Sequence, residues 1–324
     1  MTSSADIASP AAWPGVRVAW VDGLFMPVMP AESLALPVGD AGFVLGATVT
    51  EQLRTFHGDL FLPDAHEERL RESLSIVGIT PGIPLGAIFT AAAAVARHNH
   101  AVGPADDDLG LVVFVTPGDL PSQHGGTGGS PRIVVHTFPL AFRLWADAYE
   151  SGVPLRSVSV RQVPDACWPV QAKVRSRLHY FLADREAHAV EPGAKAVICH
   201  LDGRVSETST ANILIVRGGT IIAPPAADAL SGVSLRCAQR LAGSLGIEWQ
   251  TSSLSEADLA SADEIMLTST PNCILPALRF NGCCIGHGRP GATYRRLLSA
   301  WSEWVGLDIA SQSRSRAASG NGGG

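Results

Sequence analysis

Lysine is almost missing from this chain. Of 24 basic residues among 324, only Lys173 and Lys195 are lysine, and the rest are arginine. Arginine can replace lysine for most surface solvation but stays protonated. A lysine amine can instead be desolvated, lose its proton and attack a carbonyl. A lysine that persists in this composition is therefore a candidate for chemistry that arginine cannot do. Cysteine is sparse and lacks CxxC spacing: Cys167, Cys199, Cys237, Cys273, Cys283 and Cys284. The adjacent pair suits neither an ordinary disulfide nor a zinc knuckle, so reduced structural thiols and no metal site are expected. No apolar run approaches the roughly 20 residues that span a bilayer. The opening MTSSADIASPAAWPG lacks the charged and long apolar regions of a secretory signal, so a cytoplasmic location is expected. A net charge of -6, without a basic stripe interleaved with aromatics, disfavours nucleic-acid binding. GxGxxG after a strand, a Walker loop, GxSxG and HExxH are also absent. Dinucleotide, P-loop and serine-hydrolase readings lose their support with them.

What is present is an ordinary globular composition, 46% apolar and 17% charged, long enough for two modest domains. Two hairpins are signalled, one turning at Asp22-Gly23 and one at His57-Gly58. Residues 63–77 read as an amphipathic helix with acids early, and 84–98 as a second helix. Strands follow at 110–116 and 132–138, separated by the turn-forming DLPSQHGGTGGSP. The second half continues in mixed style, with strands SVSVRQV, AVICHL, NILIV, TIIAPP, EIMLTS and ILPALRF. Its helices are expected near 178–189, 234–245 and 292–305. Hairpins outnumber βαβ crossovers, which favours an α+β or mixed α/β fold over a doubly wound parallel sheet. The expected division is a small N-terminal domain over 1–150 (1–15 flexible), a larger domain over 151–308, and a disordered low-complexity tail over 309–324.

The candidate chemistry begins at Lys173, in DACWPVQAKVRSRLHY, with apolar Trp168, Val170 and Val174 around it. Apolar surroundings disfavour the charged form of an amine and so favour its nucleophilic form. Glu207 lies in RVSETSTANILIV, where the fold needs no carboxylate. A pyridine-containing cofactor does need one, to keep its ring nitrogen protonated and electron-accepting. Three segments offer a phosphate handle. Leu230-Ser231-Gly232-Val233-Ser234 opens a helix, Leu267-Thr268-Ser269-Thr270 ends a strand with three hydroxyls, and Arg69 follows His66 by three residues on one helix.

Taken together, DAHEERL, the Lys173 segment, VSETSTANILIV, ALSGVSLR and EIMLTSTPNCILP resemble, in order and spacing, the fold-type IV pyridoxal-phosphate enzymes. This is the class-IV aminotransferase group of branched-chain aminotransferases, D-amino-acid transaminases and aminodeoxychorismate lyase. The resemblance covers about residues 18–305. It implies pyridoxal 5'-phosphate as cofactor and a homodimer, each chain with a small N-terminal α/β domain and a larger pseudo-barrel-like C-terminal one. It further implies Lys173 as the Schiff-base lysine that shuttles the substrate's proton, and Glu207 on the pyridinium nitrogen. Arg69, Val233, Ser234, Ser269 and Thr270 would lie about the phosphate, Leu230 would support the ring, and Asn212 would brace the loop.

The implied reaction moves an amino group from an amino acid or amine to a 2-keto acid. A pyruvate-releasing lyase and a non-catalytic family member are the alternatives, and Glu51 leans towards transfer. Substrate choice is less marked. Thr50 stands where family members often have an aromatic residue, and the 117–130 loop lacks the Arg of D-amino-acid transaminases. Arg54 and Arg177 remain as candidate carboxylate contacts.

Overall fold

A computed structural model describes residues 9–28, 34–104 and 107–319. The chain divides into two compact units. The first holds residues 1–140 together with Ala172–Ser176, and the second holds Ala141–Gln171 and everything from Arg177 onward. The division falls ten residues before position 150, and the lysine segment returns to the first unit.

In the first unit, β1 (Val18–Val21) and β2 (Leu24–Pro27) form the first hairpin. Its turn residues Asp22 and Gly23 both take positive φ, 50° and 101°, as the right-handed strand twist requires of a two-residue turn. After the short α1 (Ala41–Val44), β3 (Val49–Phe56) and β4 (Asp59–Leu60) turn at His57-Gly58 in the same way. A Cβ on Gly58 would press into the His100 ring. Next come α2 (Pro63–Val77), α3 (Leu85–Val102), β5 (Leu109–Thr116) and β6 (Arg132–Pro139). The strands make one antiparallel sheet in the order β2-β1-β6-β5-β3-β4.

Helix α2 starts on Pro63, whose missing N–H costs nothing there, with Asp64 in its first turn. It stops at Gly78, left-handed at φ 79°, whose N–H bonds the Leu74 carbonyl. Leu70 and Leu74 of α2, and Ile88, Ala92 and Val95 of α3, pack on Val49, Leu53, Leu111, Val113 and Val135 of the sheet. Each large apolar side chain buried there stabilises the unit by about 1.5–3 kcal/mol.

The second unit contains α4 (Ala148–Ser151), β7 (Val153–Arg161), α5 (Leu178–Val190), β8 (Lys195–Cys199), β9 (Val205–Glu207), β10 (Asn212–Arg217) and β11 (Thr220–Ala223). It continues with α6 (Val233–Ser244), β12 (Trp249–Thr251), α7 (Glu256–Ala260), β13 (Glu264–Ser269), β14 (Cys273–Phe280), β15 (Cys283–Cys284), α8 (Ala292–Val305) and α9 (Ile309–Ser319). The strand order is β12-β11-β10-β13-β14-β7-β8-β9, and β9 pairs back onto β10. That last pairing closes β10-β13-β14-β7-β8-β9 into a ring, the barrel-like sheet expected of the larger domain. Strand β7 runs parallel to both neighbours.

Two expectations are corrected. The tail is not all irregular: α9 covers Ile309–Ser319 and buries Ile309, Ala310 and Ser313 at helical spacing, while residues 320–324 lie outside the described residues. Within 1–15, Pro10–Ala12 forms a 3-10 turn and Trp13 packs against the first unit's core, whereas residues 1–8 lie outside the described residues. All six cysteines are free thiols. Among the described residues no helix is long and apolar enough to cross a membrane, and no group of acids, His and Cys could hold a metal ion.

Candidate active site

Lys173 is built into the first unit by its backbone. Its N–H donates to Ser73 Oγ at 3.1 Å, and its carbonyl accepts from the Thr50 N–H at 3.0 Å. Arg175 N–H donates to the Thr48 carbonyl at 2.9 Å, and Val174 bridges Val49 in antiparallel register. The lysine segment thus acts as a short extra strand along one end of β3.

Helical spacing explains what surrounds it. His66, Arg69 and Ser73 recur at three and four residues along α2 and share its buried face. Ser73 meets the lysine backbone, and the other two meet Glu51 of β3. Arg69 grips that carboxylate with a fork, Nε to Oε1 at 2.8 Å and Nη2 to Oε2 at 2.7 Å, while His66 Nδ1 lies 2.7 Å from Oε2. Glu51 is 0% exposed and Arg69 5%. Burial alone would raise the Glu51 carboxyl, but the Arg69 charge and fork, then His66, overcome it and bring the group down to about 2. Burial lowers His66, against the opposing pull of Glu51, with the nearby charges of Arg69 and Lys173 pushing the same way as burial. The cluster is a fixed carboxylate–guanidinium pair with a largely uncharged imidazole beside the lysine segment.

In the second unit, strand register aligns the polar residues. Asn212 of β10 sits opposite Glu207 of β9 and, on its other side, opposite Thr268 of β13. Glu207 is 7% exposed, accepting from Tyr180 Oη at 2.7 Å and from Asn212 Nδ2 at 3.3 Å. The Asn212 amide also donates to the Leu230 carbonyl at 2.8 Å, tying the loop ahead of α6 to this row. Gly232 is the N-cap of α6 and has no side chain to bond the helix amides. A Cβ there would stand 2.0 Å from Asn212 Oδ1, so only glycine allows this approach. Val233 and Ser234, both buried, begin the helix, where backbone N–H groups lack intrahelical partners. The Oγ1 of Thr268, in a residue 1% exposed, and the buried Oγ of Ser209 have no hydrogen-bond partner among the described residues. Buried hydroxyls left so are costly unless something else satisfies them.

The other candidate residues have these settings. Ser269 donates to Asn272 Oδ1 at 2.8 Å, and Thr270 is the half-buried residue just beyond β13. Thr50 is buried beside the lysine segment, with its hydroxyl on the Val113 carbonyl. Arg177 donates to the Ser209 carbonyl and stacks on the Tyr180 ring at 4.6 Å. Arg54, a candidate substrate contact, lies deep in the first unit. It is 1% exposed, stacked on Phe56 at 4.0 Å and bonded to the Thr55 carbonyl. Sequence reasoning passed over Tyr180 and Gln162 as neighbours of Glu207, and over Thr268 in favour of the hydroxyls beside it. Strand alternation could have singled out Thr268, since it shares a face with neither Ser269 nor Leu267.

The first unit secures a lysine beside a buried ion cluster, and the second presents a buried carboxylate, two hydroxyls without a partner among the described residues and an uncapped helix start. The family model for amino-transferase class IV matches residues 48–280, and the chain belongs to that family. It is 25% identical over 275 residues to the D-alanine aminotransferase of Bacillus licheniformis, covering 84% of this chain and 93% of that one. It is 27% identical over 284 residues to the branched-chain-amino-acid aminotransferase of Escherichia coli strain K12, covering 82% and 90%. The fold matches a solved T.th. branched-chain amino acid aminotransferase, complexed with N-(5'-phosphopyridoxyl)-L-glutamate, at a TM-score of 0.79, with 22% identity over 90% of this chain and 95% of that one. The fold is thus that of the fold-type IV aminotransferases, and the protein is a transaminase.

Proposed function

We propose that this transaminase works with pyridoxal 5'-phosphate, held by Lys173, and moves an amino group from an amino acid or amine to a 2-keto acid. The observation that carries the reading is the fastening of Lys173. In a chain with two lysines, this one has its backbone bonded to Thr50 and Ser73 beside a buried Glu51–His66–Arg69 cluster.

The residues suit a phosphorylated pyridine. The orphan hydroxyls of Thr268 and Ser209, the side-chain-free cap at Gly232 and the open amides of Val233 and Ser234 are donors suited to phosphate oxygens. Arg69, Ser269 and Thr270 are further candidate contacts: Arg69 would share its guanidinium with Glu51, and Ser269 would turn its proton from Asn272. Leu230 would support the ring and Glu207 would face its nitrogen. When bound, the cofactor supplies an electron sink for the pair left behind as the substrate's α-proton departs.

The chain's own residues do the rest. Lys173 Nζ takes the α-proton as a base and returns a proton as an acid. Glu207 would hold a proton on the ring nitrogen. Glu51 keeps Arg69 and His66 oriented, and Thr50 stands at the lysine as a substrate-side residue, with Arg177 a second candidate. A homodimer is the expected assembly, and light scattering would report it. The cytoplasmic setting suits the six free thiols.

Borohydride reduction of protein loaded with cofactor, followed by peptide mapping, tests the assignment. The label should fall on the peptide containing Lys173, and Lys173→Ala should lose both the label and the bound-cofactor absorbance. Label on Lys195, or absorbance surviving in Lys173→Ala, overturns it. Adding candidate amino donors other than alanine, whose own keto acid is pyruvate, should discharge the absorbance without pyruvate release. Pyruvate appearing from such a donor would mark a lyase.

A further inference from the structure

Building on the reading that Glu207 faces the cofactor's ring nitrogen, we propose that Tyr180 is a positioning residue. It holds Glu207 as a carboxylate through a one-way chain of hydrogen bonds that starts at the Val163 amide. The direction of each link follows from what each group can do. The Val163 N–H can only donate, and it lies 2.9 Å from Gln162 Oε1, which fixes that atom as the amide oxygen. Gln162 Nε2, a donor only, then sits 3.1 Å from the Tyr180 oxygen and 3.1 Å from Ser206 Oγ. The phenol oxygen accepts from Gln162, so its single proton goes to Glu207 Oε1 at 2.7 Å. Were Glu207 the donor instead, no acceptor among the described residues would remain for the phenol's own proton. Hydrogen bonds linked in one direction polarise one another, and this chain delivers its effect to a carboxylate oxygen.

The surroundings hold the chain in place. Ala183 and Ala187, small residues one turn apart on α5, are buried against Val158, Ala196 and Ile198 and bring Tyr180 onto the same cluster. The Arg177 guanidinium lies over the phenol ring at 4.6 Å and also donates to the carbonyl of Ser209, two residues beyond Glu207. A cation on the ring face makes the O–H a better donor, and the second contact joins the start of α5 to the Glu207 loop. Burial first, and then the Glu207 charge, push the phenol well above its ordinary range, so it keeps its proton to donate.

A carboxylate that accepts a phenol hydrogen bond is a weaker base than one without it. With Tyr180 in place, the proton shared between Glu207 and the ring nitrogen stays on the nitrogen. Without the phenol it moves towards the carboxylate.

Loading the enzyme with cofactor labelled with 15N in the ring, and recording the ring-nitrogen resonance across pH, tests this. Wild type should show the protonated-ring position and Glu207→Gln the free-base position. Tyr180→Phe, which keeps the ring and its stacking, should shift part of the way from the first to the second and retain cofactor roughly ten-fold less tightly. Gln162→Leu keeps the phenol but frees its orientation, so a smaller shift in the same direction is expected. It decides the matter if Tyr180→Phe proves too unstable to load. Resonances of Tyr180→Phe and Gln162→Leu that superimpose on wild type, while Glu207→Gln shifts, overturn the inference and leave the Glu207 reading intact. Wild type that binds no cofactor, or Glu207→Gln that matches wild type, overturns that reading and the inference with it.

Discussion

Replacing Glu51 with glutamine separates the charge of the buried cluster from its shape. Glutamine nearly preserves the volume but removes the carboxylate that Arg69 and His66 both engage. Lowering of the Glu51 carboxyl from 4.5 to about 2 corresponds to about 3 kcal/mol of folding stability. Because the folded-state value lies below the unfolded one, that stability is present above pH 4.5 and is lost as the pH falls towards 2. At pH 7, Glu51→Gln should therefore unfold at lower urea, with a deficit of about 3 kcal/mol and a melting point lower by on the order of 10 °C. Repeating the urea titration from about pH 7 down to about pH 2.5 should show the gap between the two proteins closing, because wild type is protonated into a likeness of the variant. Other acids titrate equally in both, so the difference isolates Glu51. Parallel profiles, with the gap unchanged across that range, would refute the argument that the cluster is held by an ionised carboxylate.

Two further outcomes follow from the second unit. Thr268→Val removes a buried hydroxyl that has no partner among the described residues, so the cofactor-free protein should melt no lower than wild type while cofactor binding weakens several-fold. A fluorescence titration against a melting curve would show the two moving apart, and a matching loss in both would count against a ligand role for this hydroxyl. Gly232→Ala puts a methyl group 2.0 Å from Asn212 Oδ1, so the α6 cap must shift and cofactor should be retained roughly ten-fold less tightly or worse. Unchanged retention in equilibrium dialysis would mean that the cap does not serve the cofactor.

Local signals made the frame legible. Asp-Gly and His-Gly turns between apolar runs announced both hairpins, since positive φ is a demand on single residues. Proline at the start, an acid in the first turn and glycine at the end marked α2 for the same reason. Distant partners were not legible. Helix α9 reads as low complexity because serine and arginine dominate it, yet it packs on a turn at Phe142–Leu144, far back along the chain. Within the candidate site, the residue types pointed to Lys173, Glu207 and Arg69, and the structure gives each a defined setting. The Val163–Gln162–Tyr180–Glu207 chain was invisible because it links three segments that meet only where β7, β8 and β9 pair and α5 packs on β7 and β8.

The placement of Ala172–Ser176 has a consequence for how the chain is made. The outer edge of β3 is shared: β4 covers it at Thr55 and Phe56, and the lysine segment covers it at Thr48 and Thr50. A nascent chain that has emerged only to residue 140 therefore carries a first unit with part of that edge bare. The missing piece arrives some thirty residues later, after the chain has begun the second unit with α4 and β7. Synthesis order thus couples the completion of the two units, and a truncation after residue 140 would expose backbone ready to pair with another chain. The lysine that would carry the chemistry is also the residue that finishes this sheet edge.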